Sequence, residues 1–240
     1  MRIVDDGIII GQKKLGENGI ILTIFSKENG IVRGLCKISK KKNKPLLMDK
    51  VFFNWKSRLK DGLGFINFEI QKSFFIYNEK YTFNLLRASA SELCLKLLPQ
   101  NEINSMIYYD LINLIEFDIA SEKDNHFHLF KYYILWEIKL LNNLGYGFDF
   151  SKCAVSGDKN LAYVSPRTGQ VVSEEVGRPW KEKLLKLPKF LYKNTEVIEK
   201  KDIEDAFILN KFFFDKIIDG LSHNKKIKFI YREELIKNIK

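Results

Sequence analysis

The hydrophobic pattern changes its period near residue 80, and this change limits the folds open to the chain. The first 78 residues contain short β-branched runs separated by glycine turns, a pattern typical of strands. Later apolar residues recur at three- and four-residue spacing, as in amphipathic helices. At 240 residues, the chain can form one large domain or two small ones. The pattern predicts an α+β protein with strands first and helices second.

Five strands are predicted in the first region. They start at Asp6, Ile20, Ile31, Val51 and Phe65. Asn29-Gly30 suits a tight hairpin, and a long polar connection from Ser39 to Pro45 separates the third and fourth strands. Five strands in roughly 75 residues fit an OB-type barrel. A Greek-key sandwich or an SH3-like barrel has similar strand counts, so the pattern leaves the barrel type open.

The helical region is interrupted once. Its first helix is predicted from Tyr81 and ends at Pro99. Residues 149–180 are rich in Gly, Ser and Pro and contain two short hairpin-like runs, after which helices resume. The predicted domains are therefore 1–78 and 79–240, with an insert at about 149–180.

Positive charge is concentrated in the strand region. The formal net charge is +10, and residues 1–78 hold fifteen basic and seven acidic side chains, which leaves +8 there and +2 elsewhere. Between residues 33 and 60, ten bases accompany a single acid, Asp49. Codon bias toward lysine would spread the charge evenly. The concentration favours an anionic partner, nucleic acid ahead of a membrane.

Basic side chains of this region are candidate phosphate contacts. Arg33 and Lys37 lie four apart on the third strand, so they share a face. A lysine-rich loop follows, and further bases end the fourth strand. The candidates, of which the first two are lesser members, are Lys13, Lys14, Arg33, Lys37, Lys40, Lys41, Lys42, Lys44, Arg58 and Lys60. They could follow a phosphate backbone, the alternative being a solvated charge run.

Aromatic residues lie among these bases. Phe53 and Trp55 share one face of the fourth strand, and Phe52 lies on the other. One face must fill the barrel, so most of these rings, with Phe65 and Phe68, are expected in the core. A base-stacking role for one or two of them stays open.

The sequence offers no signature of catalysis. It contains neither a phosphate-binding loop nor a Gly-x-Gly-x-x-Gly motif. His126, His128 and His223 are scattered, and Asp5-Asp6 precedes a strand without another acid at fixed spacing. We therefore expect a protein that is not an enzyme and uses no cofactor.

Cysteine usage and the N-terminus indicate a compartment. Three cysteines in 240 residues argue against a disulfide scaffold and fit a reducing cytosol. No signal peptide is recognisable, and no apolar run reaches the ~18 residues of a membrane span. The expected location is cytoplasmic, associated with the nucleoid and away from membranes.

Several short motifs occur in a characteristic order. They are Gly16-Glu17, Ile21-Leu22-Thr23, Gly30 to Gly34, Leu140 to Gly147, Cys153 to Gly157, and Gly177-Arg-Pro-Trp180. Together they span most of the chain, and their order resembles the RecO family of bacterial DNA repair proteins.

This resemblance implies a fold and a function. It implies an N-terminal OB domain, a helical body and an inserted zinc-finger-like segment. It also implies binding to single- and double-stranded DNA, annealing of complementary strands and partnership with RecR. With RecR, such a recombination mediator of the RecF pathway helps RecA displace single-strand-binding protein, whose acidic C-terminal tail it binds.

The insert departs from the family pattern. Many members carry Cys-x-x-Cys twice, and the matching positions here are Cys153, Ser156, Ser173 and Val176. A structural zinc needs about four ligands, and one thiolate cannot hold it. We therefore expect no zinc and an insert held by packing. The groups expected to pack are Tyr163, Val171, Val172 and Trp180.

Other functions remain open on the residues alone. An RNA-binding OB-fold protein, for instance a ribosome-associated one, would need the same basic barrel. A metal-dependent nuclease would need Asp5, Asp6 and Glu17. A purely structural adaptor would bind no nucleic acid at low salt.

Overall fold

The structure of the chain is a computed structural model. It describes residues 1–37, 44–58, 62–74, 81–100, 102–120, 126–195, 198–221 and 227–239. The chain forms two compact units, Met1–Ala120 with Phe229–Asn238, and Ser121–Lys228 with Ile239–Lys240. Among the described helices, none is long and apolar enough to cross a membrane.

Five strands of the first unit form a closed barrel. They are β1 Arg2–Leu15, β2 Gly19–Ser26, β3 Gly30–Lys37, β4 Lys50–Lys56 and β5 Gly64–Lys72. The order is β1-β2-β3-β5-β4, and the long β1 pairs with both β2 and β4. The β3–β5 pair is parallel, and the other pairs are antiparallel. The five predicted strands are confirmed.

Alternating side chains fill the barrel. Phe53 and Trp55 point into the core with residues such as Leu22, as the period-two pattern predicts, while Phe52 is exposed. Position 64 accommodates only glycine, because a Cβ there would lie 2.2 Å from the indole nitrogen of Trp55. Close packing around that indole thus leaves no room for a side chain at the first residue of β5.

Helices make up most of the remaining regular structure. They are α1 Tyr81–Leu97, α2 Ser105–Ala120, α3 His126–Asn143, α4 Glu174–Gly177, α5 Lys200–Leu221 and α6 Ile230–Lys237. The α+β class is therefore confirmed. In the first unit, α1 packs against α6 and β1.

The start of α6 is capped by a buried carboxylate from another helix. Glu92 on α1 accepts hydrogen bonds from the backbone N–H groups of Ile230 and Tyr231 at 2.9 Å and of Arg232 at 3.3 Å. These are N–H groups that a helix start leaves without partners, and the helix dipole favours a negative charge there. Glu92 therefore acts as a distant cap for α6.

The second unit combines a helix pair with a small sheet. Helix α3 packs against α5, where the Asn210 side chain donates to Glu137 at 2.9 Å. The strands β6 Leu161–Val164, β7 Val171–Ser173 and β8 Leu185–Lys186 form a sheet in the order β7-β6-β8. The two hairpin-like runs predicted in the insert are thus the antiparallel pair β6–β7.

Packing within the insert matches the prediction in part. Tyr163 and Val171 are buried, and Val172 is half-buried. The prediction for Trp180 is wrong, since its side chain is 59% exposed. It lies on a short 3-10 helix, Arg178–Lys183, that buries none of its residues, with the ammonium of Lys183 5.7 Å from the ring centroid.

Candidate nucleic-acid interface

Six of the ten candidate phosphate contacts are described, and all six are exposed. They are Lys13, Lys14, Arg33, Lys37, Lys44 and Arg58. The other four candidates, Lys40, Lys41, Lys42 and Lys60, lie outside the described residues.

Strand β3 presents two of these cations on one face. Arg33 and Lys37 alternate with buried residues of the same strand, and half-buried Leu35 lies between them on the same side. The indole N–H of Trp55 donates to the Arg33 carbonyl oxygen at 2.9 Å. This bond ties the core of the barrel to the backbone that carries the outward guanidinium.

The exposed candidates have no charged partner within the described part of the chain. No described carboxylate lies within 4.0 Å of any of the six cationic groups. Their charges are therefore available to an external anion, whereas an ion pair would first have to be broken.

The single acid of the basic 33–60 segment points inward. Asp49 is fully buried, and its carboxylate accepts hydrogen bonds from the Leu46 N–H and the Ser73 hydroxyl. Burial raises the pKa of Asp49, and these two hydrogen bonds oppose the rise. The Asp49 backbone carbonyl also accepts from the Ile9 N–H at 3.0 Å.

Asp49 thereby has a role that sequence reasoning missed. It fixes the chain where the lysine-rich connection enters β4, and it withdraws the segment's negative charge from the surface. The signal in the sequence was its isolation: an acid alone among ten bases needs an explanation.

The aromatic rings divide between the core and the surface. Phe53 and Trp55 are buried and Phe68 is partly buried against the same core, whereas Phe52 is 43% and Phe65 61% exposed. The expectation that these rings fill the barrel is confirmed for Phe53 and Trp55 and in part for Phe68, whereas it is wrong for Phe65. The structure thus leaves two rings able to contact a ligand.

A cavity of about 590 Å³ lies beside the outward face of β3. Its lining residues include Arg2, Arg33, Trp55 and Leu63, together with Glu28. Two guanidinium groups and apolar walls suit a ligand that carries both negative charge and apolar surface.

The aspartates of the nuclease hypothesis are engaged in structural hydrogen bonds. Asp5 accepts from the Ser26 hydroxyl, the Glu28 N–H at 2.8 Å and the Asn29 amide at 3.0 Å, so it closes the β2–β3 turn. Asp6 accepts from the Gln71 amide at 2.8 Å. Nowhere in the described ranges do three His, Cys, Asp or Glu side chains gather as a metal site would require.

Three of the four positions that the family resemblance matches to zinc-binding cysteines lie together in the insert. The Ser156 N–H donates to the Cys153 sulfur at 3.4 Å, and the Ser156 and Ser173 hydroxyls lie 3.4 Å apart. Ser173 also accepts from the Val176 N–H at 3.4 Å and caps α4. The side chains do not fit zinc, because one thiol, two neutral hydroxyls and an isopropyl group replace four thiolates.

Cys153 keeps the environment of a thiolate. Burial alone would raise the pKa of its thiol, but hydrogen bonds from Ser156, and from the backbone at Ser173 and Val155, outweigh it and lower the pKa to about 6. N–H groups directed at sulfur favour the charged form. The backbone here is arranged to stabilise negative charge on sulfur.

These features define an α+β protein whose basic five-stranded barrel is joined to helices. Family models described as Recombination protein O N terminal and Recombination protein O C terminal match residues 1–74 and 81–207. The chain therefore belongs to the RecO family of DNA repair and recombination proteins.

Curated relatives match almost the whole chain. A protein from Rickettsia bellii is 36% identical over 245 residues, covering 99% of this chain and 98% of the relative. One from Rickettsia canadensis is 39% identical over 234 residues, covering 94% and 92%. One from Ehrlichia chaffeensis is 36% identical over 249 residues, covering 100% and 98%. Each is named DNA repair protein RecO, so the resemblance seen in the sequence motifs is confirmed.

Proposed function

We propose that this protein is a DNA-binding recombination mediator that also anneals complementary strands. It would help load RecA onto single-stranded DNA coated by single-strand-binding protein, in partnership with RecR and without catalysis of its own. Membership of the RecO family supports this role. The partners follow from what that family resemblance implies, and they include the acidic tail of single-strand-binding protein. Binding would extend to double-stranded DNA and place the protein at the nucleoid.

The proposal includes an OB-type barrel as the DNA-binding domain. The strand order β1-β2-β3-β5-β4, closed by β1–β4 pairing and containing one parallel pair, supports this type over a two-sheet sandwich. The proposed domains at 1–78 and 79–240 follow the family matches to 1–74 and 81–207, whereas the compact units of the structure group α1, α2 and α6 with the barrel. The insert at 149–180 would be a zinc-finger-like segment that has lost its metal.

One observation carries the DNA-binding part. The described basic candidates are exposed without a described acidic partner, while the only acid of their segment, Asp49, is buried. A surface of this kind attracts phosphates and releases counterions when it binds them. Annealing follows from the same charge, because a shared positive surface lowers the repulsion between two strands and base pairing supplies the free energy.

The lysine-rich connection provides the test. We would change Lys40, Lys41, Lys42 and Lys44 to Ala and measure binding to single-stranded DNA across a salt series. The slope of log affinity against log salt should flatten by roughly 0.7 for each lost phosphate contact. Strand annealing, with and without single-strand-binding protein, should slow in parallel.

A matched control carries four alanines on α5. Lys200, Lys201, Lys211 and Lys216 are exposed there, and their replacement removes the same charge. The slope should stay close to that of the wild type. Equal slopes in the wild type, the loop variant and the α5 control would contradict the assignment of the loop to DNA binding. In a second measurement, tighter binding to RNA than to DNA of equal length would favour an RNA-binding protein instead.

A further inference from the structure

Pairing across four strands forms a row of outward side chains on the barrel. Leu35 on β3 lies opposite Phe65 on β5, Phe65 opposite Lys56 on β4, and Lys56 opposite Arg2 on β1. Directly opposed residues of neighbouring strands lie about 5 Å apart. The row therefore sets one aromatic ring between an aliphatic side chain and two cations.

The ring at the centre of this row is open to solvent. Phe65 is 61% exposed and Leu63 beside it 52% exposed. With Lys56 and Arg58 they line a shallow cavity of about 520 Å³. A single exposed apolar side chain needs no explanation, but two of them adjoining cations form a surface with both apolar and positive character.

Two hydrogen bonds join Met1 and Ser57 at the positive end of the row. The α-ammonium group of Met1 donates to the Ser57 carbonyl oxygen at 2.6 Å, and the Ser57 N–H donates to the Met1 carbonyl oxygen at 3.1 Å. These bonds hold the Arg2 end of β1 against the segment that carries Arg58. No carboxylate in the described ranges lies within 4.0 Å of the charged groups of Arg2, Lys56 or Arg58.

The second exposed ring of the same sheet has the opposite surroundings. Phe52 is 43% exposed, and its cross-strand neighbours are Asp6 on β1 and Glu69 on β5. Two carboxylates beside a ring repel phosphates, whereas two cations attract them. Charge therefore distinguishes two otherwise similar aromatic positions.

We propose that Phe65 is a stacking platform for one unpaired base of single-stranded DNA. Lys56, Arg2 and Arg58 contact the phosphates that flank that base, and Leu35 and Leu63 border the ring. A ring can stack only on the face of a base, and a duplex covers those faces, so the subsite selects single strands. This inference rests on the proposed function, because it requires that the protein binds DNA.

The test compares Phe65→Ala with Phe52→Ala, each measured on a single-stranded oligothymidylate and on a duplex of equal length. Phe65→Ala should weaken single-strand binding roughly tenfold, within the range that alanine substitution gives for one stacked base. Its duplex affinity and salt slope should be unchanged, because no cation is removed. Phe52→Ala should match the wild type on both DNAs.

Two further variants separate stacking from a structural role. Phe65→Trp should retain single-strand affinity, and its fluorescence should be quenched when oligothymidylate binds, whereas Phe52→Trp should show no quenching. Thermal unfolding of Phe65→Ala should stay within a few degrees of the wild type, as expected for an exposed side chain.

The outcomes distinguish this inference from the function on which it rests. If the wild type binds neither DNA, the proposed function fails and the subsite with it. If the wild type binds and Phe65→Ala loses nothing, or loses single-strand and duplex affinity equally, the stacking subsite alone is overturned. A Phe65→Ala protein that binds DNA normally but no longer associates with RecR would make the surface a protein-docking site and overturn the inference.

Discussion

On the barrel, exposed cations such as Arg33, Lys37 and Lys56 lie apart from the described carboxylates, whereas two of the four lysines of α5 pair with carboxylates of the same helix. Lys200 lies 4.0 Å from Glu204, and Lys211 lies 2.7 Å from Asp215. Both are i,i+4 pairs of the kind that stabilises a solvated helix modestly. The helix thus offsets its charge locally, while the barrel leaves its charge available to a partner.

The acids of the first unit explain how this difference arises. Asp5, Asp49 and Glu92 each accept backbone N–H groups, at the β2–β3 turn, at the entry to β4 and at the start of α6. Carboxylates used in this way stabilise the backbone and leave most surface lysines unneutralised. The positive surface therefore depends on where the acids lie as much as on how many bases there are.

Charge reversal on the barrel should have the largest effect. Arg33→Glu with Lys37→Glu changes the net charge by −4 on one face of β3. Placing like charges against phosphates costs several kcal/mol, so we expect roughly 100-fold weaker binding to single-stranded DNA at low salt. The salt slope should also fall by about 1.4, which is the contribution of two single-strand contacts. Fluorescence anisotropy across a salt series measures both.

A reversal of equal size on α5 is the control. Lys200→Glu with Lys211→Glu also changes the net charge by −4, on the helix whose lysines are paired. It should alter binding by less than about twofold at 0.15 M salt, because α5 carries none of the candidate phosphate contacts and its two changed lysines are already paired with acids. Equal losses in the two double variants would mean that total charge matters and that the barrel has no special role.

The second prediction concerns an acid that serves structure. Replacing Glu92 with Gln keeps the shape of the side chain but removes the charge that accepts three backbone N–H groups of α6 and the ammonium of Lys96. We expect a loss of about 2 kcal/mol in the free energy of unfolding, since hydrogen bonds to a buried charged group are the strong ones. Urea titration measures it, and DNA affinity should be unchanged.

Glu116→Gln on α2 is the matched control for this change. Glu116 forms a partly exposed salt bridge with Lys72 at 3.1 Å, so its loss should cost less than about 1 kcal/mol. If Glu92→Gln is as stable as Glu116→Gln, the buried carboxylate is not what holds the start of α6.

Local pattern was sufficient for the barrel strands and for the inward or outward direction of their side chains. Period two placed Phe53 and Trp55 in the core and Arg33 and Lys37 outside it. It could not show that Phe65 adjoins cations whereas Phe52 adjoins acids, because neighbours across a sheet depend on strand order and register.

Contacts between distant parts of the chain were beyond the reach of the sequence. Glu92 and the start of α6 are 138 residues apart, and no periodicity links them. The exposure of Trp180 was also unpredictable from local pattern, because a ring is buried only where another part of the chain packs over it. The sequence did single out Cys153, Ser156 and Ser173 together, because the family resemblance relates them by spacing, and the structure brings these three side chains into contact.

The last prediction concerns how the stability of the insert depends on pH. Hydrogen bonds lower the folded pKa of Cys153 to about 6, whereas the unfolded thiol titrates near 9. Between these values the native state binds fewer protons than the unfolded state, so stability rises with pH and is lost as pH falls through 6. The free energy of unfolding should increase by roughly 3 kcal/mol from pH 6 to pH 9, and Cys153→Ser should remove that increase.

Cys94 provides the control for this last prediction, because burial raises the pKa of its thiol to about 12. It stays protonated in the folded protein from pH 6 to pH 9, and the unfolded thiol is also largely protonated below 9, so Cys94→Ser should leave the slope as it is in the wild type. If the free energy of unfolding of Cys153→Ser depends on pH as it does in the wild type, then the N–H groups around the Cys153 sulfur stabilise no thiolate. If Cys153→Ser instead loses the slope, the N–H groups around its sulfur favour the thiolate in the folded protein.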